Sequence, residues 1–152
     1  MQQLVASVAG DAGGAEAMVP VLALLGRRGA LGPVWAGPAA KAVFDRAGIV
    51  ALPAADCGRP AELLERAAAG ALLTGTSWGT AAIEADWIDA GRLQGVTTVS
   101  VVDFWSNYRA RFDNGEGGQV YPDWIAVPDQ TAAAEAIADG VPAERVLATG
   151  NP

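Results

Sequence analysis

A run of β-branched and apolar residues, Thr97 to Val102, stops at Asp103, and the chain then changes character: Asp103, Trp105, Ser106, Asn107, Tyr108, Arg109 and Arg111 follow in close order. A carboxylate so placed can orient a hydroxyl or take its proton. Two nearby arginines can hold a phosphate or carboxylate bidentately. Trp105 and Tyr108 offer flat faces to a sugar or other ring, and Asn107 joins them as a binding candidate. The competing reading is a surface loop whose arginines pair with Asp103 or Asp113, an arrangement that adds little stability.

Two further polar loops follow short apolar runs. Leu4–Ala9 leads into Gly-Asp-Ala-Gly-Gly-Ala-Glu at 10–16, where the amides of Gly13 and Gly14 and a helix N-terminus form a weak anion trap. The spacing is neither the dinucleotide fingerprint nor a P-loop. Asp11 reads as a helix cap or, functionally, as an acceptor for a substrate hydroxyl or a general base, and its charge counts against a tightly held phosphate. Ala71–Thr74 leads into Gly75-Thr-Ser-Trp-Gly-Thr80, where Thr76 and Ser77 suit sugar or phosphate oxygens or, equally, cap the next helix. The candidates are therefore Asp11 and Asp103 as catalytic carboxylates, with Gly13, Gly14, Thr76, Ser77, Trp105, Asn107, Tyr108, Arg109 and Arg111 as substrate contacts.

The chain has no histidine, so imidazole is excluded as base, ligand or triad member, and a serine nucleophile would lack its usual base. Cys57 is alone, which excludes an internal disulfide and a cysteine metal cluster. No metal and no cofactor is expected. The net charge of −7, with one lysine and nine arginines, argues against a broad nucleic-acid-binding face.

The elements that must position these loops alternate regularly. Apolar strands at Leu4–Ala9, Pro33–Ala36, Ile49–Leu52, Ala71–Thr74, Thr97–Val102, within Pro122–Val127 and at Val146–Thr149 are separated by helical patterns. The first helix carries Met18, Val21, Leu22 and Leu25 on one stripe and closes at Arg27, Arg28 and Gly29. Pro38 and Pro60 open two more helices, Ile83, Trp87 and Ile88 lie along a fourth, and Thr131 caps the last. Short βα alternation with strands apolar on both faces predicts one α/β domain over 1–152: a three-layer αβα, Rossmann-like, doubly wound domain with a mainly parallel sheet of about seven strands. Ligands of such sheets bind outside the carboxyl ends of the strands. Trp35, Trp87 and Trp124 read as packing residues. At 152 residues, 51% hydrophobic and 18% charged, the chain is long enough and apolar enough for a packed core. No run approaches bilayer-spanning length, and Met1-Gln2-Gln3 lacks the basic start of a secretion signal. Cytoplasmic residence, including peripheral contact with the inner membrane surface, is the expectation.

The order of these motifs resembles a known family. A GDxGG-type turn after the first strand, GTSWG after the fourth, SVVDFWSNYRARF after the fifth, then PDWIAVPD, a short helix, GVPAERV and ATGNP are similar to the N-terminal, acceptor-side half of GT-B glycosyltransferases. The branch in question holds lipid-A-disaccharide synthase, CDP-glycerol glycerophosphotransferases and non-hydrolysing UDP-N-acetylglucosamine 2-epimerases. The likeness covers the whole chain, and Pro122 to Pro152 is its most specific part. It implies that the three polar loops line an interdomain cleft and act on a sugar or sugar-phosphate acceptor. It also implies a C-terminal nucleotide-sugar-binding domain, or a partner chain, which this sequence lacks. The isolated chain is then expected to be inactive and to self-associate through its exposed interdomain face. The alternative is a stand-alone flavodoxin-like module that binds a small ligand without catalysis.

Overall fold

The computed structural model describes residues 3–79 and 82–152. Met1 and Gln2 of the N-terminal reading, and Thr80 of the second polar loop, lie outside the described residues. Among the described residues one sheet has seven strands: β1 (Val5–Ala9), β2 (Leu31–Ala36), β3 (Leu52–Pro53), β4 (Ala71–Thr74), β5 (Thr97–Val101), β6 (Trp124–Val127) and β7 (Val146–Ala148). The helices are α1 (Ala12–Arg27), α2 (Pro38–Arg46), α3 (Pro60–Ala67), α4 (Glu84–Leu93) and α5 (Gln130–Ala138). Every strand pair is parallel, in the order β3-β2-β1-β4-β5-β6-β7. This is the doubly wound α/β architecture expected from the alternation.

Strand parity explains the layers. Ala9 and Val5 of β1 pack with Met18 and Leu22 of α1 and Val43 and Phe44 of α2. Ala6 and Val8, pointing the opposite way, pack with Leu63 and Leu64 of α3 and with Trp87 of α4. A third cluster joins Ile88 of α4, Ile125 and Val127 of β6, and Ala132 and Ala136 of α5. Trp35 and Trp87 are core residues, their ring centroids 4.7 Å apart. Trp124 is not, being 43% exposed on β6.

Two local expectations are corrected. The third strand is shorter and later than Ile49–Leu52. Gly48 takes a positive φ of 72° and the Ile49 amide donates to Phe44 O at 2.9 Å, so these residues finish α2 instead of starting a strand. Only Leu52 and Pro53 pair with β2. The cap of α5 is Asp129, whose Oδ1 accepts from Ala132 N at 2.7 Å, and Thr131 lies inside the helix. No helix among the described residues is long and apolar enough to cross a membrane.

Candidate functional site

The loops after β1, β4 and β5 leave neighbouring strands at their carboxyl ends. Chain order reverses between β1 and β4: β2 and β3 lie on one side, β5 to β7 on the other. Such a reversal splays the flanking loops apart and opens a crevice. On this rim the first turn of α1 packs backbone to backbone on the β4 loop. A Cβ at Gly14 would lie 3.3 Å from Gly75 Cα, and a Cβ at Gly75 would lie 3.3 Å from Gly14 Cα. A side chain at either position would push the two backbones apart by a few tenths of an ångström.

Both predicted carboxylates stand at this turn. Asp11 caps α1, its Oδ1 accepting from Gly14 N at 2.8 Å. Asp103 Oδ2 occupies the space that a Cβ on Gly13 would need, and Asp11 Oδ1 lies 3.9 Å from the same point. The positive end of α1 thus faces two carboxylates, which it stabilises. Any anion trap there is already filled by the protein's own groups.

Arg111 holds Asp103 in place. Its Nη1 donates to Asp103 Oδ1 at 2.6 Å, to Thr76 O at 3.0 Å and to Thr76 Oγ1 at 3.1 Å, while Nε donates to Ser106 O at 3.0 Å. The Arg111 side chain is only 6% exposed and that of Asp103 20%. This is a partly buried clamp joining the β5 loop to the β4 loop, unlike a solvated surface pair. Thr76 turns its hydroxyl inward onto Val101 O at 3.0 Å. Ser77 is buried and donates from Oγ to Glu84 Oε2.

Glu84 was not singled out by the sequence, yet it ties two loops together. It is a buried carboxylate at the start of α4; its Oε1 accepts from Gly10 N at 2.8 Å and its Oε2 from Ile83 N at 3.1 Å. A glutamate opening a helix is an available local signal. Its partner Gly10, 74 positions away, is not.

The remaining candidates are placed elsewhere. Tyr108 is buried in the third cluster and donates to Glu135 Oε2 at 2.8 Å, so the ring face expected for a ligand is packed. Burial, reinforced by Glu135, pushes its phenol up to about 12. Arg109 makes no bond to Asp103: its backbone amide donates to Asp139 Oδ2 at 2.9 Å, and its side chain reaches Gln119, Nη2 donating to Oε1 at 3.3 Å. Trp105 is 42% exposed, with Nε1 donating to Asp129 Oδ2 at 2.9 Å. Asn107 is exposed and left-handed, at φ 54°. Two aromatics the sequence reading passed over, Trp78 and Phe104, stand more than half exposed on the β4 and β5 loops.

The site therefore offers two carboxylates side by side at a helix N-terminus, one of them fixed by a guanidinium, with exposed aromatic rings on the loops around them. Such an arrangement can orient hydroxyls and accept a proton. Bound anions would meet acidic groups first.

No protein-family model and no curated protein sequence matches this chain. Its fold does match solved structures. UDP-GlcNAc 2-epimerase from Neisseria meningitidis, bound to UDP-GlcNAc, superposes with a TM-score of 0.66 at 15% identity, over 98% of this chain and 47% of that one. A Listeria monocytogenes protein described as a UDP-N-acetylglucosamine 2-epimerase gives 0.68 at 15% identity, over 99% and 45%. A further UDP-N-acetylglucosamine 2-epimerase structure gives 0.67 at 15%, over 99% and 47%. This chain spans about half the length of the structures it matches, and its Rossmann-like fold is similar to that of one half of those epimerase structures.

Proposed function

We propose that the chain is the acceptor-side, N-terminal half of an enzyme that acts on nucleotide-sugars, by epimerising a UDP-sugar or by transferring a sugar or glycerol-phosphate group. The observation that carries this reading is the packing of Asp103 against the first turn of α1, beside Asp11 and beneath the β4 loop. In this reading Asp103 is the base or hydroxyl acceptor, and Asp11 supplies a second acceptor. Arg111 is a positioning residue for Asp103 instead of a direct contact to a phosphate. The nucleotide would be held by a second domain or partner chain, and a sugar or sugar-phosphate would enter between the two.

The test joins this chain to such a second half, or mixes the two, and follows turnover of UDP-GlcNAc and other nucleotide-sugars. Asp103→Asn should lower kcat by about 10²–10⁴-fold, the range for a lost acid–base group. Asp11→Ser keeps a helix cap but removes the carboxylate, so a fall in kcat there reports chemistry rather than unfolding. Unchanged turnover in both variants, or turnover by this chain alone, would overturn the proposal.

A further inference from the structure

A pocket of about 490 Å³ opens at the carboxyl ends of β2 and β3, on the far side of β1 from the Asp103 loop. Its apolar walls include Pro38, Pro53, Ala54, Ile83 and Trp87. The volume falls within the range of roughly 300–1,000 Å³ that suits a small organic ligand. The walls are also stiff. Trp87 is buried and packs against Trp35, the rings tilted by 36°, and prolines set the backbone at the entrances to α2 and α3. The Gly37 backbone is pinned to β1, its amide donating to Ala9 O at 2.9 Å. A cavity whose walls do not need ordering loses little affinity to entropy on binding.

Three charged side chains reach the pocket: Lys41, Asp56 and Asp86. The Lys41 ammonium is held by both oxygens of Asp45, at 2.9 and 2.8 Å, so its charge is balanced outside the lining. Asp56 and Asp86 are exposed and have no ion pair or side-chain hydrogen bond among the described residues. Arg66 also stands beside the pocket, its Nη2 3.5 Å and Glu62 Oε2 3.8 Å from the point a Cβ on Gly58 would occupy. The surrounding charges (Lys41 with Asp45, Arg59 and Arg66 with Glu62, and Asp56 and Asp86) therefore leave a net −1 over an apolar, partly aromatic floor. That balance favours a cation over an anion.

We propose that this pocket binds a compact ring-bearing amine, the ring seated among Trp87, Ile83 and the prolines and the protonated nitrogen turned to Asp56 and Asp86. The proposal does not rest on the cleft chemistry at Asp11 and Asp103, and neither residue lines the pocket.

Three probes of nearly equal size separate the contributions: phenethylamine, 2-phenylethanol and phenylacetate, titrated into the full chain by calorimetry and by amide chemical shifts. The amine should bind about tenfold more tightly than the alcohol, as two solvent-exposed charges at contact distance would give. The carboxylate should show no saturable binding, and shifts should centre on the amides of Gly37, Ala54 and Ile83. In an Asp56→Asn/Asp86→Asn double variant, whose substitutions are on the surface, the amine should fall to the alcohol's affinity while the alcohol stays unchanged. Equal binding of amine and alcohol to the parent, preference for the carboxylate, shifts mapping elsewhere, or no saturable response to any probe would each overturn it.

Discussion

Asp103 lies against α1 because residue 13 has no side chain. Alanine is ordinarily the better helix residue, by up to about 1 kcal/mol over glycine in a helix interior. Here a Cβ would collide with Asp103 Oδ2, and that carboxylate cannot swing away freely because Arg111 grips its other oxygen at 2.6 Å. Crowding in a well-packed site costs typically 1–3 kcal/mol, so the collision outweighs the helix gain. Gly13→Ala should therefore destabilise the parent by about 1 kcal/mol in urea denaturation, without changing the m-value. In an Asp103→Ala background the same substitution should become neutral or slightly stabilising. An equal cost in both backgrounds would show that something other than the carboxylate opposes it. Asp103 and Arg111 were visible in the sequence because composition changes sharply where β5 ends. Their separation from Arg109 was not, because nothing in two arginines two positions apart says that one side chain turns to the β4 loop and the other to Gln119.

The β5 loop is strapped to α5 at three points: Trp105 to Asp129, Tyr108 to Glu135, and the Arg109 amide to Asp139. The Tyr108 strap carries a pH signature. Its phenol is pushed from the ordinary 10 up to about 12, first by burial and then by the Glu135 carboxylate it donates to. The folded state thus disfavours the tyrosinate. The contribution is fully present below pH 10 and is lost as pH rises through 10 toward 12, because there the unfolded chain releases the proton and the folded one keeps it. Two pKa units correspond to roughly 2–3 kcal/mol. Between pH 10 and 12 the parent should lose that much more stability than Tyr108→Phe in chemical denaturation; parallel loss in both would place the strap's effect elsewhere. Subtracting the variant also removes Tyr121, whose phenol burial raises as well. At this scale the strands were legible, since parallel strands buried on both faces read as continuous apolar runs. The exception is instructive. Ile49–Leu52 is as apolar as a strand, but Val50 is 85% exposed and Ile49 closes α2, because Gly48 turns the chain first. Glu84 was not legible for a related reason: its bond to Gly10 exists only once β1 and β4 are neighbours.

A parallel sheet needs cover on both faces, and in this molecule one part of it is left thin. Val99, Trp124, Ala126 and Leu147 share a face by register, the one that α1 covers farther along the sheet. Among the described residues α1 is the helix that reaches its margin, through Val21, with the segment from Thr149 to Pro152 alongside, while α5 packs on the opposite side. Trp124 and Leu147 are left 43% and 46% exposed. This apolar strip is on the broad side of the sheet, whereas the sequence pointed to the rim of the strand-end loops as the exposed interdomain face. Contiguous apolar surface of this kind drives association, at about 25 cal/mol for each Å² removed from water. The net charge of −7 opposes it through mutual repulsion, which salt screens. The two effects together predict a mass near the 15.4 kDa of one chain at low ionic strength and low concentration, rising with both concentration and salt in light scattering. Leu147→Lys places a charge in the strip at an already half-exposed position and should hold the chain monomeric under all those conditions. A parent that stays monomeric in high salt at the highest concentration reached would show that the strip is too small to associate. Association undiminished in Leu147→Lys would move the contact to another face, and the exposed aromatics Trp78 and Phe104 on the strand-end rim would then be the first place to look.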